Sequence, residues 1–482
     1  MNAANSWKPV IGLEVHARLE TATKLFCGCE LSFAAPPNQR VCPVCLGLPG
    51  ALPVLNAEAV RLALLAAIAT NCRIALESRF ARKHYFYPDL PKGYQITQFD
   101  RPLAVDGSLN VGTTEARTSV RIQRIHLEED AGKLLHETPW SDVPSNVSLI
   151  DFNRAGAPLI EIVSHPDLTT PEEAAGWLAR LRQVLMYCGI CDGNMEDGSF
   201  RADANVSLHR EGEPLGVRVE IKNLNSFRFF SRAISFEIER QASRLSAGET
   251  IVQETRLFDS KTGETRPMRS KEEEHDYRYL EEPDLLPLVL QKDEVEALRG
   301  ALPELPADRV VRWEKTWGVP TADGEVLAAT RGLADYFESV ALASSPRLAA
   351  NWVRNEVLRV TGDRSADIAA WSVTPDRLAS LLRMVEKGEI SGSAAKEIFE
   401  LLPTDPRTPE ALVESLGLAQ IHDEGVIRAA AEEVIGQHAS QAAAYRAGKQ
   451  QLLGFFVGQV LKKTGGKANP EITSRIVREL LG

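Results

Sequence analysis

The sequence predicts an α+β protein in which a region built on an antiparallel β-sheet is followed by two all-helical regions. Up to about residue 290, short segments alternate between polar and apolar residues with the period of two that is typical of β-strands. Residues 281–306 carry four prolines and interrupt this pattern. Beyond them the sequence is alanine-rich and helical, with a further break at LLPTDPRTPE. We therefore predict domains at 1–292, 293–405 and 406–482.

The composition is that of a soluble globular protein, with 44% hydrophobic and 25% charged residues. No apolar run approaches the roughly 20 residues that cross a bilayer. No signal peptide is visible, so we expect a cytoplasmic protein without a membrane partner. In that compartment the seven cysteines are expected to be metal ligands or free thiols. The net charge of -11 argues against a protein that coats nucleic acid generally, although a local basic patch is compatible with it.

The first predicted strand, VIGLEVHARL, alternates Glu14, His16 and Arg18 with apolar residues. One of its faces therefore carries an acid, an imidazole and a guanidinium group.

Two close cysteine pairs follow this strand. Cys27 and Cys29 are separated by 12 residues from Cys42 and Cys45, a spacing that suits a tetrahedral zinc site of four thiolates. Such a site is structural, because four thiolates leave no open position on the metal. The later pair, Cys188 and Cys191, is interpreted as semi-buried thiols.

The loop RKHYFYPDLPKGYQITQFD, residues 82–100, combines aromatic residues, prolines and a glycine. It is either a substrate loop that brings Lys92 and Tyr94 to a ligand, or an aromatic cluster packed under a surface loop. The residues alone favour the packed cluster.

A further strand, SVRIQRIHLEEDAGKL, ends in Glu128, Glu129 and Asp130. Its alternation slips near Arg124, which predicts a β-bulge. Alternation does not decide whether Glu128 or Glu129 shares the polar face. In the next motif, DFNRAGAPLIEIVS, the acid Glu161 stands alone in an apolar run, either as an edge residue or as a buried acid with a specific partner.

A helix is predicted in TTPEEAAGWLARLRQVLMYCG, because Thr170 can cap it, Pro171 suits its first turn and Gly189 ends it. Two strands then form a predicted antiparallel hairpin. In the first strand, RADANVSL, the residues Arg201 and Asp203 lie on the polar face. In the second strand, VRVEIKNL, the polar face carries Glu220 and Lys222. A second helix runs through FRFFSRAISFEIERQASRL.

Several strands thus offer carboxylates beside cations. Carboxylates gathered in one place repel one another unless a cation joins them. Mg²⁺ prefers oxygen ligands and commonly links carboxylates to phosphates. Arg18, Arg201, Lys222 and Lys133 could neutralise a transferring phosphoryl group. By pattern alone, solvated sheet edges with surface ion pairs are somewhat favoured over such a site.

The C-terminal tail is locally basic. From residue 440 onward seven basic residues face two acidic ones, a local charge of +5 on a chain of net charge -11. The candidates for contact with a phosphate backbone are Lys449, Lys462, Lys463 and Lys467. Cations that merely complement a helix dipole are an equal alternative by charge pattern.

Seven motifs together resemble the B subunit of the glutamyl/aspartyl-tRNA amidotransferase. They are, in order along nearly the whole chain, IGLEVH, HYFYPDLPKGYQ, HLEEDAGK, DFNRAGAPLIEI, RADANVSL, EIKNLNS and GFFVGQVLKKTGGKANP. The resemblance implies a cradle domain akin to the glutamine synthetase fold, a helical domain and a tRNA-binding tail. It also implies a heterotrimer with an amidase A subunit and a small C subunit, acting on misacylated tRNA.

The resemblance implies a function as well. The B subunit uses ATP and Mg²⁺ to phosphorylate the side-chain carboxylate of Glu-tRNA(Gln) or Asp-tRNA(Asn), and ammonia released from glutamine by the A subunit then replaces the phosphate. The implied metal ligands and catalytic residues are Glu14, His16, Glu129, Asp203 and Glu220. The implied ATP- or substrate-binding residues are Arg18, Lys92, Tyr94, Arg154, Arg201 and Lys222. Histidine is an unusual Mg²⁺ ligand, which makes Mn²⁺ an alternative. Some members of the family lack the zinc cysteines, whereas this sequence has all four.

The chemistry of amide formation supports this function independently of the resemblance. A carboxylate does not accept ammonia at neutral pH without activation, and the chain shows no evident glutaminase site, so it needs a partner that supplies ammonia. Two alternatives are a non-catalytic, zinc-stabilised RNA-binding scaffold and a free-standing ligase acting on a small molecule. A scaffold does not need the clustered carboxylates, and a small-molecule ligase does not need the helical tail.

Overall fold

The structure, a computed structural model, describes residues 7–32, 35–112, 117–135, 146–270, 277–362 and 368–482. It is a mixed α+β structure with one large, mostly antiparallel sheet. The chain divides between Leu305 and Pro306 into two compact units. The three-domain division predicted from the sequence, and the likeness to the glutamine synthetase fold, stay predictions.

The first unit contains the strands. They are β1 Lys8–Arg18, β2 Arg73–Ile74, β3 Glu77–Ser78, β4 Ala81–His84, β5 Tyr94–Thr97, β6 Ala104–Gly112, β7 Arg117–Glu129, β8 Lys133–Leu135, β9 Leu149–Asp151, β10 Pro158–Ser164, β11 Phe200–His209, β12 Val219–Leu224, β13 Glu254–Asp259, β14 Glu264–Ser270, β15 Leu280–Glu281 and β16 Leu288–Val289.

Twelve of these strands form one sheet in the order β14-β13-β12-β11-β1-β10-β7-β5-β4-β15, with β6 also paired to β7 and β2 paired to β6. The pairing is antiparallel except between β12 and β13. The predicted hairpin of β11 and β12 is confirmed. The predicted bulge near Arg124 is also confirmed, because the β10–β7 register shifts where Arg124 pairs with Val163 and Ile122 with Ser164.

The α-helices in the described part of the first unit are α1 Ala57–Ala69, α2 Pro171–Tyr187, α3 Phe227–Ser246 and α4 Lys292–Ala301. Helix α2 begins as predicted, because the Thr170 hydroxyl accepts a hydrogen bond from the Glu173 amide. The Glu173 carboxylate accepts from the amide of Thr169, one residue before the cap. Gly189 adopts a φ of 66°, a conformation that glycine tolerates without strain.

The hydrophobic core lies between one face of the sheet and helices α1, α2 and α3. Leu13 and Val15 of β1 point into it and are almost completely buried, as are Trp177 and Phe230 from the helices. Burial of each such aliphatic side chain contributes roughly 1.5–3 kcal/mol. Because side chains alternate along a strand, the residues between them project from the opposite, polar face.

The second unit is helical among its described residues. Its helices are α5 Pro306–Trp317, α6 Thr321–Leu327, α7 Arg331–Ala343, α8 Pro346–Trp352, α9 Leu358–Thr361, α10 Pro375–Glu386, α11 Gly392–Leu401, α12 Pro409–Leu416, α13 Glu424–Gln437, α14 Ala439–Arg446, α15 Leu452–Lys463 and α16 Pro470–Leu481. A π-helical turn, Val353–Val357, joins α8 to α9. Helices α13 to α16 share a core that includes Phe456, Val460 and Ile476. Within the ranges that the structure describes, no helix has the length and hydropathy to span a membrane.

Candidate active site on the polar face of the sheet

The polar face of the sheet gathers the acids that the sequence analysis singled out. In the register of β1 and β11, Glu14 lies opposite Asp203 and His16 opposite Arg201. Across the other edge of β1, His16 lies opposite Glu161 of β10. Glu161 in turn faces His126 of β7. Four neighbouring strands therefore present charged side chains to one surface, which we call the polar face.

His16 is the centre of a compact cluster on this face. Its Nε2 lies 3.3 Å from a Glu161 oxygen and 3.4 Å from a Glu128 oxygen. His126 Nε2 approaches the same two carboxylates, at 3.6 Å from Glu161 and 3.7 Å from Glu128. The potential ligand atoms of Glu14, His16 and Glu161 all lie within 4.8 Å of one another. Two histidines and three carboxylates thus share a small, largely buried volume.

The negative charges of the clustered carboxylates favour a positive charge among them. Burial alone would lower the pKa of His16, but the hydrogen bond with Glu161 and the charges of Glu128 and Glu161 outweigh it and raise the pKa to about 9. Burial raises the pKa of Glu14, and the neighbouring charge of Glu161 raises it further. Burial opposes ionisation of Glu161, yet His126 and His16 hold its pKa below the usual range. A cation in the cluster would take over the role of the proton on His16.

The donor set suits a divalent cation. Carboxylate oxygens are preferred by Mg²⁺, and adding an imidazole favours Mn²⁺ as well. Glu14, His16 and Glu161 satisfy this chemistry by residue type and by proximity.

A second acidic pair lies beside the cluster, on β11 and β12. Lys222 Nζ lies 3.1 Å from a carboxylate oxygen of Asp203 and 3.6 Å from one of Glu220. The Thr255 hydroxyl donates a 2.7 Å hydrogen bond to Glu220. Burial opposes the charged form of Lys222, but the charges of Asp203 and Glu220 raise its pKa. The structure therefore brings Glu14, His16, Asp203 and Glu220 to one face.

Several arginines border this face, among them Arg124, which lies 3.4 Å from a Glu161 oxygen. Asp130 is buried and accepts hydrogen bonds from Arg154 (2.7 Å) and Arg201 (3.1 Å). Burial opposes ionisation of Asp130, but these two guanidinium groups keep its pKa low. Arg18 forms a 2.9 Å ion pair with Asp192. Asp130 was not among the predicted site residues, although it directly follows Glu128 and Glu129 in the sequence.

Glu129, which the family resemblance implies as a metal ligand, lies outside this cluster in the structure, and its role as a ligand stays a prediction. Neighbouring residues of a strand point to opposite faces, and it is Glu128 that shares the polar face with His16. The Glu129 carboxylate instead pairs with Lys92 and accepts a 2.8 Å hydrogen bond from the Ile96 amide. Lys92 also lies 5.6 Å from the centre of the Tyr94 ring. Lys92, Tyr94 and Glu129 therefore form a separate group, which lines a cavity of about 260 Å³.

A larger cavity opens on the polar face. Its volume is about 710 Å³, and an acidic side formed by Glu14 and Glu220 faces an aromatic side that includes Phe86 and Tyr277. Lys83 and Lys222 also line it. Pockets of this size hold small organic ligands and cofactors. The aromatic loop of residues 82–100 thus supplies one wall of the cavity.

The four cysteines converge as the sequence predicts. The sulfur atoms of Cys27, Cys29, Cys42 and Cys45 all lie within 4.8 Å of one another. Tetrahedral zinc with bonds of about 2.3 Å would place its sulfur ligands roughly 3.8 Å apart, so the donor set fits. A hydrogen bond from Cys27 lowers the pKa of Cys45 to about 4 against the effect of burial, and the charge of Lys24 contributes. The Cys42 amide also donates a 3.1 Å hydrogen bond to this sulfur.

Six of the seven basic residues of the tail fall into two groups, which differ in whether the side chain has a partner. Lys463 pairs with Glu433, Arg475 pairs with Glu424, and Arg446 donates to the carbonyl of Leu481. Lys449 and Lys462 are exposed and Lys467 is half-buried, and none of these three has an ion-pair partner among the described residues.

The fold and these two sites define a class: an α+β protein with an acid- and histidine-bearing sheet face and a cluster of four cysteines, followed by helices. The comparisons with known proteins then specify the family. The model described as GatB/GatE catalytic domain matches residues 9–296, and the one described as GatB domain matches residues 335–481.

Curated relatives agree over nearly the full length. The B subunit of the aspartyl/glutamyl-tRNA(Asn/Gln) amidotransferase of Geotalea uraniireducens is 52% identical over 479 residues, which cover 98% of this chain and 99% of the relative. The proteins of the same name from Thermodesulfovibrio yellowstonii and Chlorobaculum tepidum are 49% and 48% identical, with 98% and 99% of this chain covered and 99% of each relative. The chain belongs to the family of aspartyl/glutamyl-tRNA(Asn/Gln) amidotransferase B subunits.

Proposed function

We propose that this chain is the subunit that activates and amidates the misacylated tRNA. Its substrate is the side-chain carboxylate of glutamate on tRNA(Gln), of aspartate on tRNA(Asn), or of both. ATP is the phosphoryl donor, and ammonia comes from glutamine hydrolysed by an amidase A subunit, with a small C subunit completing a heterotrimer. The observation that carries the proposal is the polar face, where clustered acids lie beside Lys222 and the arginines.

The proposed reaction has two steps, phosphorylation of the carboxylate and its amidation by ammonia. An oxygen of the substrate carboxylate attacks the γ-phosphorus of ATP, the bond to ADP breaks, and an acyl phosphate forms. The nitrogen of ammonia then attacks the acyl carbon, inorganic phosphate leaves, and the excess proton passes to water or to a nearby carboxylate. Glutaminyl- or asparaginyl-tRNA results.

The side chains of this face have separate tasks. Glu14, His16 and Glu161, with Glu128 beside them, would hold Mg²⁺ or Mn²⁺, which screens the charge of the phosphates when bound. Lys222 and Arg201 would neutralise charge that develops on the transferring phosphoryl group. Arg18 and Arg154 lie at the border, where they would orient the substrate. The aromatic wall of the larger cavity offers an apolar surface for a base.

One assay tests this function. The chain is purified with its amidase partner, and ATP-dependent amidation of Glu-tRNA(Gln) and Asp-tRNA(Asn) is followed separately. We expect ADP and amidated tRNA in equal amounts with at least one substrate. Binding of tRNA without any ATP turnover would favour the scaffold, and turnover with free glutamate would favour the small-molecule ligase.

We further propose that the four cysteines hold one structural Zn²⁺, which pins the loop after β1 beside the site. Protein purified without chelator should contain one zinc per chain. Absence of zinc together with four freely titratable thiols would contradict this proposal.

We propose that the tail contacts tRNA through Lys449, Lys462 and Lys467, the three lysines of this region that have no ion-pair partner among the described residues. Support comes from the exposure of Lys449 and Lys462 and from the positive charge of this region. Phosphate contacts of this kind tune affinity and leave chemistry unchanged.

A further inference from the structure

Lys24 is a lysine whose side chain is completely inside the protein. Its exposed fraction is 0%, which is rare for a charged residue. Its ammonium group lies 3.6 Å from Cys45 Sγ and donates a 3.1 Å hydrogen bond to the carbonyl oxygen of Phe152. Among the described residues, no carboxylate lies within ion-pair distance of this ammonium group.

A buried charge without a counter-charge is costly, and a carbonyl dipole compensates it only in part. A thiolate sulfur at the position of Cys45 offsets that cost. A zinc ion held by four thiolates keeps the sulfurs ionised, and because the thiolates outnumber its two positive charges the complex stays negative. The position of Lys24 is therefore accounted for when the cysteines are thiolates on a metal.

Lys24 also contacts a second segment. Phe152 belongs to the turn that joins β9 to β10, and this turn carries Arg154. The amide of Leu25, the next residue, donates a 2.8 Å hydrogen bond to the carbonyl of Gly156 at the end of the same turn. Arg154 in turn binds Asp130, which also binds Arg201 on the polar face.

We infer that Lys24 is the counter-cation of the four-cysteine metal site and the link that fixes the Arg154 turn to it. The inference rests on the proposed zinc site. Lys24 acts through other residues and touches no reacting atom, so it is a positioning residue. Its loss should weaken zinc binding and loosen residues 151–157 together.

The first measurement is zinc retention by the full chain against a colorimetric zinc chelator. Lys24→Met keeps the length of the side chain and removes the charge, and Lys24→Arg keeps the charge. Outer-sphere partners of metal ligands typically change metal affinity by about 10-fold to 100-fold. We expect Lys24→Met to lose affinity in this range, Lys24→Arg to lose less, and Lys8→Met, at an exposed lysine of β1, to match the unmodified chain.

The second measurement is hydrogen exchange of the peptide covering residues 151–157, with and without zinc. In the unmodified chain we expect zinc removal to accelerate exchange there. In Lys24→Met the exchange should already be fast, and zinc removal should add little, because coupled sites are not additive. If Lys24 only stabilised the fold, the substitution and the removal of zinc would each accelerate exchange of this peptide, and the two effects would add.

The outcomes separate the two ideas. An unmodified chain that holds no zinc overturns the zinc site and the inference with it. A chain that holds zinc with equal affinity in Lys24→Met overturns the inference and leaves the zinc site standing. If Lys24→Met does not fold, Lys24→Arg becomes the deciding variant, because it keeps the positive charge. If its zinc affinity falls as far as that of a chain with blocked thiols, the positive charge at this position does not stabilise the bound zinc, and the inference is wrong.

Discussion

The polar face of the sheet and the basic tail both collect charged side chains, but they do so under opposite conditions. On the polar face Glu128 and Glu161 are buried, at 4% and 6% exposure, and both have close charged partners. In the tail, Lys449 and Lys462 are exposed to solvent. Electrostatic interactions are strong where water is excluded and weak where it is not. Single substitutions should therefore have large effects on the sheet and small ones in the tail.

The largest effect is expected for Asp203. This carboxylate lies opposite Glu14 and holds Lys222 at 3.1 Å. Asp203→Ala should lower ATP-dependent amidation on the order of 10²-fold to 10³-fold, by analogy with the loss of one preorganised electrostatic group. Glutamine hydrolysis by the amidase partner should stay measurable. Asp293→Asn, at an exposed site on α4, is the control. If Asp203→Ala and the unmodified chain amidate tRNA equally fast, Asp203 does not belong to the site.

The pair Glu128 and Glu129 tests the structure against the family resemblance. Glu128 lies 3.4 Å from His16, whereas Glu129 pairs with Lys92. Glu128→Gln should weaken Mn²⁺ binding, measured by electron paramagnetic resonance, by about 10-fold or more, since an anionic neighbour of the metal is lost. Glu129→Gln should leave Mn²⁺ affinity within about 2-fold. The reverse order would show that Glu129 is the metal ligand, as the family resemblance implies.

The contrast between these neighbours shows what the sequence can predict. Alternation placed Glu14, His16, Asp203 and Glu220 on polar faces because side-chain direction is a local property of a strand. The helix start at Thr170 and the bulge near Arg124 were predictable for the same reason.

Strand order is not local, and the parts of the site that depend on it could not be predicted. Glu161 reaches His16 only because β10 lies between β1 and β7. Its segment PLIEIV is nearly all apolar, so alternation gave no sign of a shared face. The bulge at Arg124 also made the parity of Glu128 and Glu129 ambiguous, and only the pairing of β7 with β10 resolves it.

Asp130 should give an intermediate effect, because it positions two arginines and is buried with them. Asp130→Asn removes the charge that Arg154 and Arg201 share. Hydrogen bonds to charged groups contribute about 1.5–3 kcal/mol. We therefore expect kcat/KM for misacylated tRNA to fall about 10-fold, because Arg154 is proposed to orient the substrate and Arg201 to stabilise the transferring phosphoryl group. Asp167→Asn breaks a similar pair with the exposed Arg121 and serves as the matched control. Equal kcat/KM values in both variants would make Asp130 a purely structural residue.

The smallest effects are expected in the tail, where each single substitution should weaken tRNA binding only slightly and several substitutions should add up. Lys449, Lys462 and Lys467 have no ion-pair partner among the described residues, so their charges are available to a phosphate backbone. Each Lys→Gln change should weaken tRNA binding by only about 2-fold, and the triple change by roughly 10-fold. The slope of log affinity against log salt should fall by about 0.7–0.9 for each phosphate interaction that a substitution removes.

Lys463 and Arg475 supply the control for this last prediction. Both are basic tail residues, but they are engaged with Glu433 and Glu424, so their replacement should change the salt slope less. Deleting residues from 406 onward should weaken tRNA binding further, while ATP binding by the first unit and glutamine hydrolysis in the complex survive. Unchanged affinity for misacylated tRNA in the deletion would show that the tail is a packed appendage. If replacing the unpaired lysines and replacing the paired basic residues change the salt slope equally, net charge governs binding there, and not the position of particular side chains.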